Sequence, residues 1–120
     1  MRAERAVLAA LFISACGGEA TPRDPIIELI EAIKADDPGP LASLCVPEVR
    51  DGDARRVCLA RREDTKVWAQ LRAWFGQARV VGVKEIHGDE VVIDVAMGPD
   101  QRIVPMTVVQ HEGRWLLDRF

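Results

Sequence analysis

The sequence predicts an α+β domain in which N-terminal helices pack on a curved antiparallel sheet of about four strands. Two observations carry this prediction. Between residues 24 and 76, apolar side chains recur at the three- and four-residue spacing of amphipathic helices, and from residue 78 they recur at every second position. All helical segments also precede all strands, and the short turns between the strands are those of antiparallel neighbours.

The first helix is predicted to begin at Asp24-Pro25. Aspartate can accept hydrogen bonds from free backbone amides, and proline is tolerated at the first helical position because its missing N–H has no partner there. The run Asp-Asp-Pro-Gly-Pro at residues 36–40 should end this helix. Its apolar stripe is predicted to contain Ile26, Ile27, Leu29, Ile30 and Ile33.

Two further helical segments are expected before the strands. A short helix is predicted over residues 41–45, and a longer stretch follows Asp53, which is expected to cap it. This stretch should break near residues 62–65 and end at Gly76. Its second half is predicted to bury a wide apolar face made of Val67, Trp68, Leu71, Trp74 and Phe75.

Four strands are predicted, separated by turns at residues 87–90, 98–101 and 111–114. Strand side chains alternate between the two faces of a sheet. In the last strand this rule puts Trp115 and Leu117 on one face, and Leu116, Asp118 and Phe120 on the other.

The second strand has the longest all-apolar alternation, formed by Val91, Ile93, Val95 and Met97. We expect these four side chains to face the helices. Asp94, at an intervening position, should therefore face away from them.

The N-terminal segment has the layout of a bacterial lipoprotein signal. Arg2 and Arg5 precede an unbroken run of apolar or small residues from Ala6 to Ala15. This run is shorter than the roughly 20 residues of a membrane-spanning helix, and it matches the apolar middle of a signal peptide. Its end, Ile13-Ser14-Ala15-Cys16, resembles the lipobox of bacterial lipoproteins.

The lipobox resemblance implies that residues 1–15 are a signal peptide, and that Cys16 becomes the lipidated N-terminus that anchors the chain on a membrane. Residues 16–23 are then a tether and residues 24–120 one domain. The implied location is the bacterial cell envelope, at the outer membrane or cell surface, because Gly17 rather than aspartate follows the cysteine. An ordinary secretory signal or an uncleaved apolar N-terminus is the alternative.

Composition excludes several functions. The formal net charge is −3, or −4 without residues 1–15. Such an acidic, mixed-charge surface gives no electrostatic reason to bind nucleic acid, and the lipid alone would supply membrane anchoring. The sequence has no Gly-rich phosphate loop, serine nucleophile motif or CxxC pair, and we predict no cofactor.

Three segments resemble the NTF2-like superfamily: Lys34-Ala35-Asp36-Asp37-Pro38, the short helix after it, and Glu112-Gly113-Arg114-Trp115-Leu116-Leu117-Asp118. The resemblance covers residues 25–120. It implies a cone whose sheet and helices enclose a pocket, used by some members for isomerase, dehydratase or cyclase chemistry and by many only to bind ligands or partners. Another helix-plus-meander domain, such as a cystatin-like one, is the alternative.

Asp94 and Asp118 are the candidate catalytic bases, because a carboxylate in an apolar cavity has a raised pKa and can act as a general base. The steroid-isomerase type of site commonly adds a tyrosine hydroxyl, and this sequence contains no tyrosine. The alternative is that both aspartates lie on the solvated faces of half-buried strands.

His87 and His111 are predicted to be exposed turn residues. Together with Cys45 and Cys58 they are a formal possibility for a zinc site, but their wide, irregular spacing lacks the close pairs of structural zinc sites. We therefore predict no metal site. In an oxidising compartment, Cys45 and Cys58 are expected to form a disulfide between the second and third helical segments, with buried free thiols as the alternative.

The remaining candidates have structural interpretations. Arginines at positions 55, 56, 61 and 62 suggest an anion-binding patch, but Glu63 and Asp64 follow directly, which favours a solvated helix face. The tryptophans at positions 68, 74 and 115 are expected in the core. The sequence thus favours a lipid-anchored, non-catalytic domain that binds a small apolar ligand or an envelope protein, with an NTF2-like enzyme using Asp94 or Asp118 as the alternative.

Overall fold

The computed structural model describes residues 20–120, and the predicted α+β class is confirmed. This part of the chain contains three α-helices, α1 (Asp24–Lys34), α2 (Gly52–Cys58) and α3 (Thr65–Phe75), with a 3-10 turn at Leu41–Leu44. The strands β1 (Arg79–His87), β2 (Glu90–Met97), β3 (Arg102–His111) and β4 (Arg114–Arg119) form one antiparallel sheet in sequential order. The three helices pack on this sheet.

Helix α1 packs through its aliphatic stripe, and Ile26, Leu29 and Ile33 are almost completely buried. Asp24 is already the first helical residue, and its carboxylate accepts hydrogen bonds from the backbone N–H and hydroxyl of Thr21 rather than capping later amides. Residues 20–23 of the predicted tether therefore include a turn that leads into the helix.

The end of α1 is a Schellman motif with an unusual residue at its centre. The Asp36 N–H donates to the Ile33 carbonyl at 3.1 Å, and the Asp37 N–H donates to the Ala32 carbonyl at 2.9 Å. Asp36 has a φ of 61°, in the left-handed region that glycine usually fills in this motif.

Asp36 connects α1 to α3. Its carboxylate accepts a hydrogen bond of 2.7 Å from the Trp68 indole N–H, and lies 3.3 Å from an Arg62 guanidinium nitrogen and 3.8 Å from one of Arg72. The hydrogen bond from Trp68, helped by the two guanidinium groups, holds the pKa of Asp36 below its usual range. The Arg72 guanidinium also donates to the Lys34 carbonyl, which strengthens the same junction.

Cys45 and Cys58 form the disulfide that the sequence predicts, with their Cα atoms 6.2 Å apart. Cys45 follows the 3-10 turn and makes an isolated parallel bridge with Leu117 of β4, where the Val46 N–H donates to the Leu117 carbonyl. Cys58 is the last residue of α2. The disulfide therefore fixes the end of α2 beside the outer edge of β4.

Helix α2 is capped by a different aspartate from the one predicted. Asp51 is the N-cap residue, and its carboxylate accepts a hydrogen bond of 2.9 Å from the Ala54 N–H, while Asp53 lies inside the helix. The same carboxylate accepts a bond of 3.4 Å from the Phe120 N–H. Asp51 thus both caps α2 and contacts the backbone of Phe120.

The predicted break between helices is confirmed, since α2 ends at Cys58 and α3 begins at Thr65. Gly76 is the C-cap residue of α3, but it has a φ of −60° instead of a left-handed conformation. On the buried side of α3, Trp68, Leu71 and Phe75 contribute to the core, as predicted.

The inward face of β2 is also as predicted. Val91, Ile93, Val95 and Met97 are all buried in the core cluster under the helices. Their partners on β3 include Val108, Met106 and Val104, and Val108 in turn pairs with Leu117 of β4. One continuous aliphatic surface therefore crosses the sheet, and the helices cover it.

A bulge in β4 contradicts the predicted alternation of the last strand. Val108 pairs with Leu117, and the next paired residues are Thr107 and Arg119, so Asp118 is an extra residue. The bulge moves Phe120 onto the helix-facing side, where it packs against the core instead of sharing a face with Leu116. The prediction for Phe120 was therefore wrong.

We expect the disulfide to stabilise the fold by about 3 kcal/mol, because it closes a short loop in the unfolded chain. Urea unfolding with and without reductant measures this difference. A Cys45→Ala, Cys58→Ala double variant is the control and should not respond to reductant. If both thiols of protein recovered from the expressing cells are alkylated without prior reduction, the disulfide does not form in the cell.

The second prediction concerns Asp36. Because its pKa is lower in the folded than in the unfolded state, its contribution to stability is complete above the unfolded value of about 3.8 and is lost as the pH falls through the folded value. Asp36→Asn keeps the left-handed backbone and an acceptor for Trp68 but removes the charge. The variant should be less stable than the wild type at neutral pH.

The stability difference between Asp36→Asn and the wild type should shrink as the pH falls below the unfolded value. Urea unfolding at a series of pH values tests this, with Asp89→Asn in the exposed β1–β2 turn as the matched control. A difference that stays constant over the whole acid range would contradict the role given to the ion pairs.

Candidate functional site

The candidate site is a cavity of about 260 Å³ between the helices and the helix-facing side of the sheet. Helices α2 and α3 form one side of it, and β2, β3 and the residue after β4 form the other. Most of its lining is apolar and consists of Val57, Leu71, Trp74, Phe75, Met97, Val104 and Phe120. The volume lies just below the range usual for pockets that hold drug-sized ligands, so the cavity suits a small ligand.

Trp74 forms an exposed part of this wall and is not a core residue, which corrects the sequence prediction. Its side chain is 41% exposed, whereas that of the neighbouring Phe75 is 1% exposed. The Trp74 carbonyl accepts a 2.9 Å hydrogen bond from the Gly98 N–H in the β2–β3 turn. A Cβ added to Gly98 would lie 3.1 Å from the indole ring, so this glycine allows Trp74 to pack flat against the turn.

Three charged residues line the cavity together with these apolar groups. Asp53 and Arg56 come from α2 and Arg102 comes from the start of β3. Arg102 is the cross-strand partner of Met97, and directly paired strand residues share a face, which is the face of the cavity. The three side chains are well exposed, so they lie where the apolar cavity meets solvent.

Asp94 faces away from the cavity, as predicted from strand alternation. It pairs with Gly82 of β1 and Pro105 of β3, and neither neighbour can exchange a proton with it or bind a metal. The half-buried Asp94 therefore has the surroundings of an ordinary residue on the outer face of the sheet.

Asp118, the second candidate base, is also separate from the cavity. It lies in the β4 bulge, accepts a hydrogen bond from Arg119, and borders a shallow depression with residues 46–48 and 50–51. Arg119 in turn pairs with Glu90 at 2.9 Å. Neither candidate base thus lines the apolar cavity.

The two histidines are exposed residues at the same end of the sheet, on β1 and β3, which are separated by β2. His87 ends β1 and contacts Glu85 at 2.7 Å, and this hydrogen bond holds the pKa of Glu85 below its usual range. His111 ends β3 and lies 3.3 Å from Glu112. Within residues 20–120 no group of three or more histidine, cysteine or acidic side chains is arranged to hold a metal ion.

The four arginines of the helical region do not form a single patch. Arg62 pairs with Asp36, and Arg55 lies 3.5 Å from the Val49 carbonyl. Arg61 is exposed, and Arg56 alone lines the cavity. The prediction of a solvated helix face therefore fits three of these arginines, whereas Arg56 also lines the cavity.

Sequence reasoning missed the charged residues of the cavity. Asp53 was interpreted as a helix cap, Arg56 as a solvent-facing residue, and Arg102 was not considered. The one available signal was the position of Arg102: it is two residues before Val104, so it lies on the helix-facing side of β3 although it is charged. The contribution of Phe120 had no signal in the sequence, because it depends on the bulge.

The arrangement is suited to binding. Apolar walls exclude water, the charged groups lie at the edge, and among the described residues lining the cavity there is no histidine, cysteine, serine or tyrosine. Cys16 and the lipobox lie outside the described residues. From residue 20 onward, none of the helices has both the length and the apolar character needed to span a bilayer. Comparisons of the sequence with models of protein families and with curated proteins find no match.

Proposed function

We propose that this chain is a lipid-anchored protein of the bacterial cell envelope, in which an NTF2-like domain binds a small apolar ligand without chemical turnover. The observation that supports ligand binding most directly is the apolar cavity between α2, α3 and the sheet. Helices on one face of a four-stranded antiparallel sheet, with a cavity between the two layers, agree with the NTF2-like resemblance.

Binding without catalysis is favoured over an NTF2-like enzyme by the positions of the two candidate bases. Asp94 is on the outer face of the sheet, and Asp118 is in the β4 bulge. A general base must be within hydrogen-bond reach of the proton that it removes. A ligand in the apolar cavity has neither of these two carboxylates along its walls, and the carboxylate that is in the lining, that of Asp53, lies at the exposed edge.

Lipid anchoring is supported by the lipobox Ile13-Ser14-Ala15-Cys16 and the preceding apolar run. The Cys45–Cys58 disulfide agrees with export, since disulfides persist in oxidising compartments outside the cytoplasm. An outer-membrane or surface position is proposed from Gly17, which replaces the aspartate that retains some lipoproteins at the inner membrane.

For anchoring, we expect the wild-type protein expressed in a bacterial host to incorporate labelled palmitate and to partition into detergent. Cys16→Ser should lose both properties, because the lipid is attached to that thiol. Cys45→Ser is the control and should keep the label. Incorporation of palmitate by Cys16→Ser would refute the lipoprotein proposal.

For ligand binding, we expect a photoreactive medium-chain alcohol to label peptides that line the cavity. The lipidated protein is reconstituted in vesicles of zwitterionic phospholipid, irradiated and mapped by mass spectrometry. Val104→Phe fills the cavity from β3 and should reduce this labelling by about tenfold, a loss of about 1.4 kcal/mol of binding free energy.

Ile103→Phe is the matched control, because Ile103 is adjacent on the same strand and half exposed on the opposite face. It should leave the cavity labelling unchanged. Equal labelling of both variants and the wild type, or the absence of label from cavity peptides, would refute ligand binding at this site.

A further inference from the structure

We infer that the ligand is an anionic amphiphile, a small apolar chain or ring with one carboxylate, whose apolar body fills the cavity and whose carboxylate lies between Arg56 and Arg102. This inference rests on the proposed ligand binding and names the chemical class of the ligand. It starts from the contrast between the apolar lining and the three charged residues at its edge.

The two arginines approach the cavity from opposite layers of the fold. Arg56 lies on α2, directly before the buried Val57 that forms part of the wall. Arg102 lies on β3, opposite the buried Met97 of β2. A ligand inserted between the layers therefore has one guanidinium group on its helix side and one on its sheet side. Guanidinium groups are well suited to this role because their planar array of donors matches a carboxylate.

Existing ion pairs leave these guanidinium groups available. Arg102 has a distant contact with Asp100, at 4.0 Å, and its side chain is 66% exposed. The other acidic residue at the cavity, Asp53, makes no ion pair with Arg56 although the two are three residues apart on α2. Among the described residues that line the cavity, two are therefore positive and one is negative, and Asp100 stands beside Arg102 outside this lining.

Two guanidinium groups at one cavity stand out because the chain as a whole is acidic, with a formal net charge of −3. A general attraction for anions is thus absent, and any preference for a carboxylate must come from the cavity edge. A cationic amphiphile would meet two like charges there, with Asp53 in the lining and Asp100 beside Arg102 as its acidic partners. A neutral ligand would leave both guanidinium groups without a specific partner from the ligand.

The test compares two photoreactive probes with the same medium-length chain, one ending in a carboxylate and one in an alcohol. Binding to the full lipidated protein in zwitterionic vesicles is measured from the concentration dependence of labelling at cavity peptides. For each probe, the Arg56→Gln, Arg102→Gln double variant is compared with the wild type, so that partitioning of the probe into the bilayer cancels. Arg61→Gln, an exposed arginine away from the cavity, is the matched control.

We expect the double variant to bind the carboxylate probe about tenfold more weakly, since each exposed charge contact contributes modestly. Alcohol binding should change by less than about twofold, and Arg61→Gln should leave both probes unaffected. Higher salt should weaken binding of the carboxylate only, because it screens charge.

The outcomes separate this inference from the proposed function. If the alcohol labels the cavity and the double variant binds the carboxylate as well as the wild type does, the inference is wrong while ligand binding stands. If the double variant loses both probes equally, the arginines shape the cavity and do not recognise charge, which also overturns the inference. If neither probe labels cavity peptides in the wild type, both the inference and the proposed ligand binding are wrong.

Discussion

The burial of one face of β2 is the constraint on which the rest of the structure depends. Val91, Ile93, Val95 and Met97 form an alternating row that must be covered, and only the helices can cover it. Because the strand has a period of two, burial of this row turns the intervening residues to the other face of the sheet. Asp94 is thereby excluded from the cavity without any specific interaction acting on it. One packing requirement therefore both places Met97 in the lining of the cavity and turns the best candidate base away from it.

Features that depend on local sequence were predictable. The strands and turns follow from the change of period at residue 78, and the break before α3 follows from polar residues between two apolar segments. Features that depend on contacts between distant residues were not predictable. The second hydrogen bond of the Asp51 cap, from the backbone N–H of Phe120, joins residues 69 positions apart. The helical spacing of Trp74 suits a core residue. Its ring nevertheless packs beside the β2–β3 turn and stays partly exposed.

The β4 bulge illustrates the same limit at the candidate site. One extra residue, Asp118, reverses the faces of the two residues that follow it, Arg119 at the end of β4 and Phe120 after it. The ring of Phe120 then forms part of the cavity and its backbone N–H reaches the cap of α2. No pattern of apolar residues records a bulge, because the insertion is set by how two strands meet. A short terminal irregularity thus decides the lining of the cavity.

Asp36 shows how a local rule can be broken to connect two elements. Glycine would adopt its left-handed conformation at less cost, but glycine has no carboxylate to accept the Trp68 indole N–H. The aspartate therefore ends α1 and at the same time fixes it to α3, the helix that supplies Leu71, Trp74 and Phe75 to the cavity. The covered face of the sheet is held together through this polar contact as well as through apolar packing.

The disulfide restrains one wall of the cavity, and whether it forms depends on the redox conditions around the protein. Cys58 is two residues beyond Arg56 at the end of α2, and Cys45 bridges to Leu117 on β4. The bond therefore restrains the helix that carries Asp53 and Arg56 against the sheet. In a reducing compartment this restraint would be lost, and the charged edge of the cavity would depend on the Asp51 cap and on packing alone. With the disulfide formed, the helix that carries Arg56 is held against the sheet that carries Arg102, and the proposed ligand class depends on this arrangement.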